Sequence, residues 1–160
     1  MAKLWQKSQE KPSKGDQNPV QNPDTPILFV DDDPIIHKVV MGKYLKDWNV
    51  TSVFSGEEAL DHLEKENFVI VITDLRMPGI GGIELLQEIK AKYGNRVQVI
   101  VITVSDDLDD LLAALDGGAS DFLLKPLNEK VLIEVLQHTV LRIERWNQSL
   151  NMLINKQGSD

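Results

Sequence analysis

Cysteine is absent from this 160-residue chain, which excludes disulfides and thiolate metal sites and leaves a reducing compartment open. Histidine is scarce: His37, His62 and His138 stand in separate helical stretches, so a histidine-built metal centre is not expected. Basic residues are the minority, 17 against 25 acidic, and the net charge of −8 argues against general nucleic-acid binding. Such a balance suits partners that are cations, metal ions or basic protein faces. Long apolar runs are missing, as is the apolar core of a signal peptide, so the expectation is a cytoplasmic protein with no membrane partner. The length allows one domain with a proper core and tails.

What is present begins with a polar, proline-punctuated stretch over residues 1–24, in which Leu4 and Trp5 are the notable apolar pair. It cannot bury enough surface to offset the entropy of ordering it, and a disordered tail is predicted. From Ile27 the pattern becomes an alternation of short apolar runs and helical spacings. Ile27 to Val30 reads as a strand running into Asp31, Asp32 and Asp33, with Asp33 an expected N-cap and Pro34 opening a helix through Ile35, Ile36, Val39, Val40, Tyr44 and Leu45. Val50 to Phe54 is a weaker strand, followed by a capping box of Ser55 and Glu58.

Phe68 to Thr73 is an unbroken apolar run that stops at Asp74 and a turn ending in Met77 and Pro78, as expected of a central strand in a helix-covered parallel sheet. A helix through Ile83, Leu86 and Ile89 follows, ending near Gly94. Val97 to Val104 is a fourth strand, and a helix from about Asp106 carries Leu108, Leu111, Leu112 and Leu115 on one side. Asp121 to Leu124 is a fifth strand, ending in Lys125 and Pro126, and a last helix begins near Asn128. Five strands alternating with five helices predict an α/β fold with a doubly wound parallel sheet, in order 2-1-3-4-5.

In that order the strand ends share one crevice. Asp31, Asp32 and Asp33 end the first strand, Asp74 the third, Thr103 the fourth and Lys125 the fifth. Taken alone, Asp74 reads more readily as a turn cap than as a reactive group. Clustered carboxylates raise one another's pKa unless a cation is present, and a hard divalent ion such as Mg²⁺ takes oxygen ligands of this kind. A metal, an ammonium and a hydroxyl together suit a phosphoryl group, leaving one carboxylate, most naturally Asp74, to act as nucleophile.

These residues resemble the receiver domains of bacterial two-component response regulators. The likeness rests on Val30-Asp31-Asp32, on Thr73-Asp74-Leu75-Arg76-Met77-Pro78-Gly79, on Ile102-Thr103, on Gly118 to Leu124 and on Lys125-Pro126, across residues 25–143. The resemblance implies that Asp74 is the phosphoacceptor, taking its phosphoryl group from a sensor histidine kinase or a phosphotransfer protein. It implies Mg²⁺, with Mn²⁺ as substitute, held by Asp32 directly, Asp31 through water, Asp74 and the backbone carbonyl of Arg76. Thr103 would bond a phosphate oxygen, Lys125 would pair with it, and Thr103 and Phe122 would form the switch. Val104 stands where the family usually has Ala or Gly; with Arg76 it is expected to tune the lifetime of the acyl phosphate.

The last helix outruns such a domain. Leu132, Leu136, Thr139, Ile143, Trp146, Leu150 and Leu153 form a heptad seam, so residues 144–160 are read as an extension serving as a dimerising coil, a linker to an output domain, or an unpartnered amphipathic tail. A downstream protein or an output domain would receive the signal, and no nucleic-acid contact by this chain is expected. Two alternatives stand beside this reading. Asp31 and Asp33 also fit the Asp-x-Asp pattern of a haloacid-dehalogenase-type phosphohydrolase, with Asp31 as nucleophile, although the chain leaves little room for a cap. The same scaffold also serves as an interaction module without phosphorylation.

Overall fold

The computed structural model describes residues 24–157. The predicted N-terminal tail, apart from Asp24, and the last three residues of the predicted extension, 158–160, lie outside the described residues. Five strands, β1 (Ile27–Val30), β2 (Val50–Val53), β3 (Ile70–Asp74), β4 (Gln98–Thr103) and β5 (Asp121–Leu124), form one parallel sheet in the order β2-β1-β3-β4-β5. The expected doubly wound α/β class and strand order are therefore found, in the flavodoxin-like arrangement.

Two helical layers cover the sheet. On one face Leu28, Val30, Val71, Val99 and Val101 pack against α2 (Gly56–Lys65), α3 (Gly82–Tyr93) and α4 (Leu108–Asp116). On the other, Ile27, Phe29, Ile70, Ile72, Ile100 and Ile102 meet Val40, Leu45 and Trp48 and the first half of α5 (Glu129–Gln157), through Leu132, Leu136 and Val140. Every residue of β1 and β3 is buried, which is why both read as continuous apolar runs rather than alternating ones. Each buried aliphatic side chain contributes about 1.5–3 kcal/mol, so the two central strands are the rigid floor beneath their own carboxyl ends.

Local chemistry starts the helices much as the sequence predicts. Asp33 accepts a hydrogen bond from the Ile35 amide at 2.8 Å ahead of Pro34, and α1 (Pro34–Val39) begins there. Ser55 Oγ accepts from the Glu58 amide, but the Glu58 carboxylate reaches back to the Phe54 amide at 3.0 Å rather than to that of Ser55. The first helix departs from expectation too. After Val39 the chain widens into a π-helical turn, Val40–Tyr44, closed by the Leu45 amide on the Val40 carbonyl at 2.8 Å. Residues five apart diverge on an α-helix; the wider turn lets Val40 and Leu45 both face the sheet, where both are buried.

The four leucines expected on one side of α4 do share exposure rather than burial, and Ala114 is the helix's buried residue. α4 approaches its neighbours through small residues: a Cβ on Gly117, which caps it, would meet Leu86 Cδ2 at 2.8 Å. A second close approach matters more for the site. The Gly82 amide donates to the Leu75 carbonyl at 2.8 Å, and a Cβ at Gly82 would press on the Asp74 carbonyl and lie 2.7 Å from Leu75 Cα. Backbone there has no room to retreat. Gly82→Ala is expected to lower the unfolding free energy by about 3 kcal/mol, seen as a lower urea midpoint at unchanged slope; a midpoint equal to wild type would show that the turn yields.

Candidate phosphoryl and metal site

The acidic loop begins where β1 loses its ladder. The Asp31 amide still donates to Val53 at 3.3 Å, but its side chain, fully buried, turns to the strand ends. Asp31 Oδ1 accepts from the Asp33 amide at 2.9 Å, and Oδ2 accepts from Lys125 Nζ at 2.7 Å. Asp74 is the last residue of β3, buried, with Oδ1 accepting from the Leu75 amide at 2.8 Å. Its Oδ2 lies 3.4 Å from Lys125 Nζ. Asp32 is exposed, and one oxygen each of Asp31, Asp32 and Asp74 fall within 4.8 Å of one another. Lys125 is placed by the sheet, since its amide donates to the Thr103 carbonyl at 2.8 Å.

Burial pushes the Asp74 carboxyl above the ordinary carboxylate range; Lys125 opposes the shift and the Asp31 charge adds to it. Burial also works against the Lys125 ammonium, but its hydrogen bond to Asp31 and the charges of Asp74 and Asp31 outweigh that and hold it above its usual value. The Asp31 and Asp74 carboxylates thus share one ammonium, with an oxygen of Asp32 close to both acids. The donor set is all hard oxygen, and a divalent cation completes its charge balance, so these residues fit Mg²⁺ or Mn²⁺.

The other expected site residues are brought near in differing degrees. Thr103 is fully buried at the end of β4, with Oγ1 accepting from the Ser105 amide at 3.2 Å. Phe122 lies half-buried against the same sheet face, paired with Val101 one step below Thr103. The Arg76 side chain is turned to α4, where its guanidinium bonds Asp110 at 2.8 Å and Ser105 Oγ at 3.4 Å. Hydrogen bonds from Ser105 and Arg76 hold the Asp110 carboxyl below its usual range. Val104, expected to tune the acyl-phosphate lifetime, is 70% exposed. Asp31, the nucleophile of the dehalogenase alternative, has both oxygens engaged and no exposed surface.

Three contacts around the site went unread in the sequence. Asp110 looked like one more acid on an acidic helix. Glu57 accepts from the Ile80 amide at 3.0 Å and ties α2 to the loop after Asp74. His37 reaches the Asp31 carbonyl at 2.6 Å. The one signal for the last was a histidine one turn past three acids.

A family model for the response regulator receiver domain matches residues 27–137. Among curated proteins the chain is similar to a cyclic di-GMP phosphodiesterase of Thermotoga maritima, 36% identical over 116 residues, covering 71% of this chain and 30% of that protein. It is similar also to the transcriptional regulatory protein ZraR of Klebsiella oxytoca, 36% identical over 121 residues, covering 72% of this chain and 27% of that one. The chain therefore spans less than a third of the length of these relatives. Among solved structures, a CheY-like response regulator receiver domain protein from Methanospirillum hungatei superposes with a TM-score of 0.68 at 27% identity, covering 76% of this chain and 97% of that one. Since the matched span runs from the first residue of β1 well into α5, and takes in every strand end of the crevice, the chain belongs to the receiver-domain family of two-component response regulators.

Proposed function

We propose that Asp74 is the phosphoacceptor of a signalling switch, charged by a sensor histidine kinase or a phosphotransfer protein. The observation that carries this is the placement of Asp74: buried at the end of the central strand, with Oδ1 held by the Leu75 amide and Oδ2 turned to Lys125. Oδ2 attacks phosphorus, the bond from phosphorus to the donor imidazole nitrogen breaks, and that nitrogen leaves with the electron pair. Lys125 pairs with the incoming phosphoryl oxygens, and the Thr103 hydroxyl donates to one of them. Asp31, Asp32, Asp74 and the Arg76 carbonyl would hold Mg²⁺ or Mn²⁺, which neutralises the charge of the transferring group when bound.

Residues 25–143 form the receiver on this reading, and the chain is a switch with self-phosphotransfer and autodephosphorylation rather than an enzyme acting on a separate substrate. Thr103 and Phe122, on one sheet face, carry the change outward to a downstream protein or an output domain. The extension over 144–160 offers Trp146, Leu150 and Leu153, all exposed, as the free part of a seam for a second copy. The absence among the described residues of a helix fit to cross a membrane accords with a cytoplasmic place of action.

The direct test is incubation with acetyl phosphate and Mg²⁺, borohydride reduction, and mass-spectrometric mapping of the reduced residue. Label on Asp74 is expected. Label on Asp31 would favour the hydrolase alternative, and an unmodified chain with a cognate kinase also present would favour a phosphorylation-independent module. Arg76→Ala and Val104→Ala should each change the autodephosphorylation rate several-fold. Arg76→Ala should at the same time leave the unfolding free energy within about 0.5 kcal/mol of wild type, because its ion pair is exposed. Unchanged rates in both variants would remove these two residues from the control of lifetime. Sedimentation with beryllofluoride should shift the chain to a dimer, and an unshifted monomer would leave the seam to another use.

A further inference from the structure

The most constrained group near the crevice that the proposed chemistry does not use is the His37 ring. His37 is 6% exposed on α1 and lies nearly parallel to the Phe54 ring, centroids 4.0 Å apart and 21° between planes, with Phe29 edge-on at 5.2 Å. Its Nε2 sits 2.6 Å from the Asp31 carbonyl oxygen. A carbonyl can only accept, so the ring proton in this bond is on Nε2. Nδ1 is buried with no hydrogen-bond partner. A side chain present for packing alone would leave no such atom, since an orphaned buried polar group costs about 1–3 kcal/mol.

The position of this bond is telling. β1 ends at Val30, so the Asp31 carbonyl lies past the paired strand. His37 supplies a bond from its side chain to that carbonyl, while its own amide donates to the Asp33 carbonyl at 3.2 Å. One residue therefore closes the acidic loop at two points, on either side of Asp32. Inside the loop, Asp31 is fixed by the Asp33 amide and Lys125, whereas the Asp32 carboxylate projects from backbone that no neighbouring strand supports.

We infer that His37 is a positioning residue for the cation site: its Nε2–H, held in one orientation by the Phe54 and Phe29 rings, fixes the path of the Asp31–Asp33 backbone and so the direction in which Asp31 and Asp32 present their oxygens. The inference rests on the metal reading above and adds to it a partner outside the ligand set, of the kind whose loss weakens binding without removing a ligand.

The test uses the full chain as wild type, His37→Leu and His37→Gln. Leucine fills the space without a donor, and glutamine returns an N–H at a similar reach. Titration calorimetry with Mg²⁺ alone is expected to show affinity reduced about 10-fold in His37→Leu and restored to within about 3-fold in His37→Gln. A second readout needs no metal. Amide hydrogen exchange at Asp32 and Asp33 should quicken at least about 10-fold in His37→Leu, relative to Leu28 and Phe29 in the same molecule, and return in His37→Gln. Exchange that quickens evenly along β1, Mg²⁺ affinity equal to wild type in His37→Leu, or a glutamine variant as weak as the leucine one would each overturn the role. Wild type that binds no Mg²⁺ would bring down the metal reading and this inference together, and the wild-type arm alone identifies that case.

Discussion

Asp74→Asn is expected to abolish phosphoryl incorporation from acetyl phosphate and, in Mg²⁺-free buffer at neutral pH, to make the fold more stable. Both effects come from one carboxylate. The amide nitrogen of asparagine is no nucleophile towards phosphorus, so labelling should fall below detection, a loss of at least about 10³-fold. The stability change follows from burial and the Asp31 charge, which together hold the folded-state pKa of Asp74 above its ordinary value against the pull of Lys125. With the folded pKa above the unfolded one, the native state binds more protons between the two. Stability is therefore fully present below the ordinary aspartate pKa and is lost as pH rises through the folded pKa. Asparagine carries no charge and escapes that loss, so the Tm of the variant should lie above that of wild type at neutral pH. It keeps an oxygen for the Leu75 amide. The gain should vanish in acid and shrink when Mg²⁺ is added to wild type. A variant less stable than wild type at every pH would mean that the Asp74–Lys125 attraction outweighs the cost of burial.

Lys125→Met should act in the opposite sense. The lysine side chain is 10% exposed and lies 2.7 Å from Asp31 and 3.4 Å from Asp74, so its removal leaves two buried carboxylates facing each other without a counter-charge. Breaking a buried pair on one side costs about 3 kcal/mol. Here the cost depends on pH, because the losses at Asp74 include both the charge and the hydrogen bond of Lys125, the two lysine contributions that hold its pKa down. The Asp74 pKa then climbs further, and the window over which stability falls with pH widens upward. Urea unfolding at pH 8 without metal should show the larger loss; as pH falls into the acid range, or with millimolar Mg²⁺ at pH 8, much of it should return. Adding Asp74→Asn to Lys125→Met should recover stability as well, giving a coupling energy of about 1 kcal/mol or more in a double-mutant cycle. A loss that ignores pH, metal and the second substitution would trace to packing of the lysine stem.

How legible all this was depends on the kind of residue. The β1 and β3 runs were readable because strands buried on both faces leave no polar position to blur the pattern. Asp31, Asp32, Asp74, Thr103 and Lys125 were readable as a group because a parallel sheet puts all its strand ends on one side, so order along the chain converts directly into proximity. The π turn was not readable. Ile36, Val39, Val40 and Tyr44 keep α-helical spacing, and only the joint burial of Val40 and Leu45, a tertiary demand, widens the helix. The direction of α4 was not readable either: a leucine stripe signals amphipathicity but does not say what lies against it, and here the sheet side is claimed by Ala114. Arg76 and Asp110 are 34 residues apart, and charges at that separation carry no periodic signal.

The last helix has a mechanical consequence. α5 is one unbroken helix of 29 residues that begins four residues after Lys125; it is clamped by Leu132, Leu136 and Val140, with Ile143 packed at the edge of the core and Arg142 donating to Gln98 Oε1 at 3.0 Å, and its last turns project past the sheet. At about 1.5 Å per residue the part beyond Ile143 is an arm of roughly 20 Å. With its fulcrum in the core, a pivot of about 10° at the clamp carries the far end through roughly 4 Å, near the spacing of two adjacent strands. The geometry has a built-in gear ratio: any tilt of the clamped segment would be small at Trp146, about one turn past the clamp, and of side-chain size only near Leu153 and the far end.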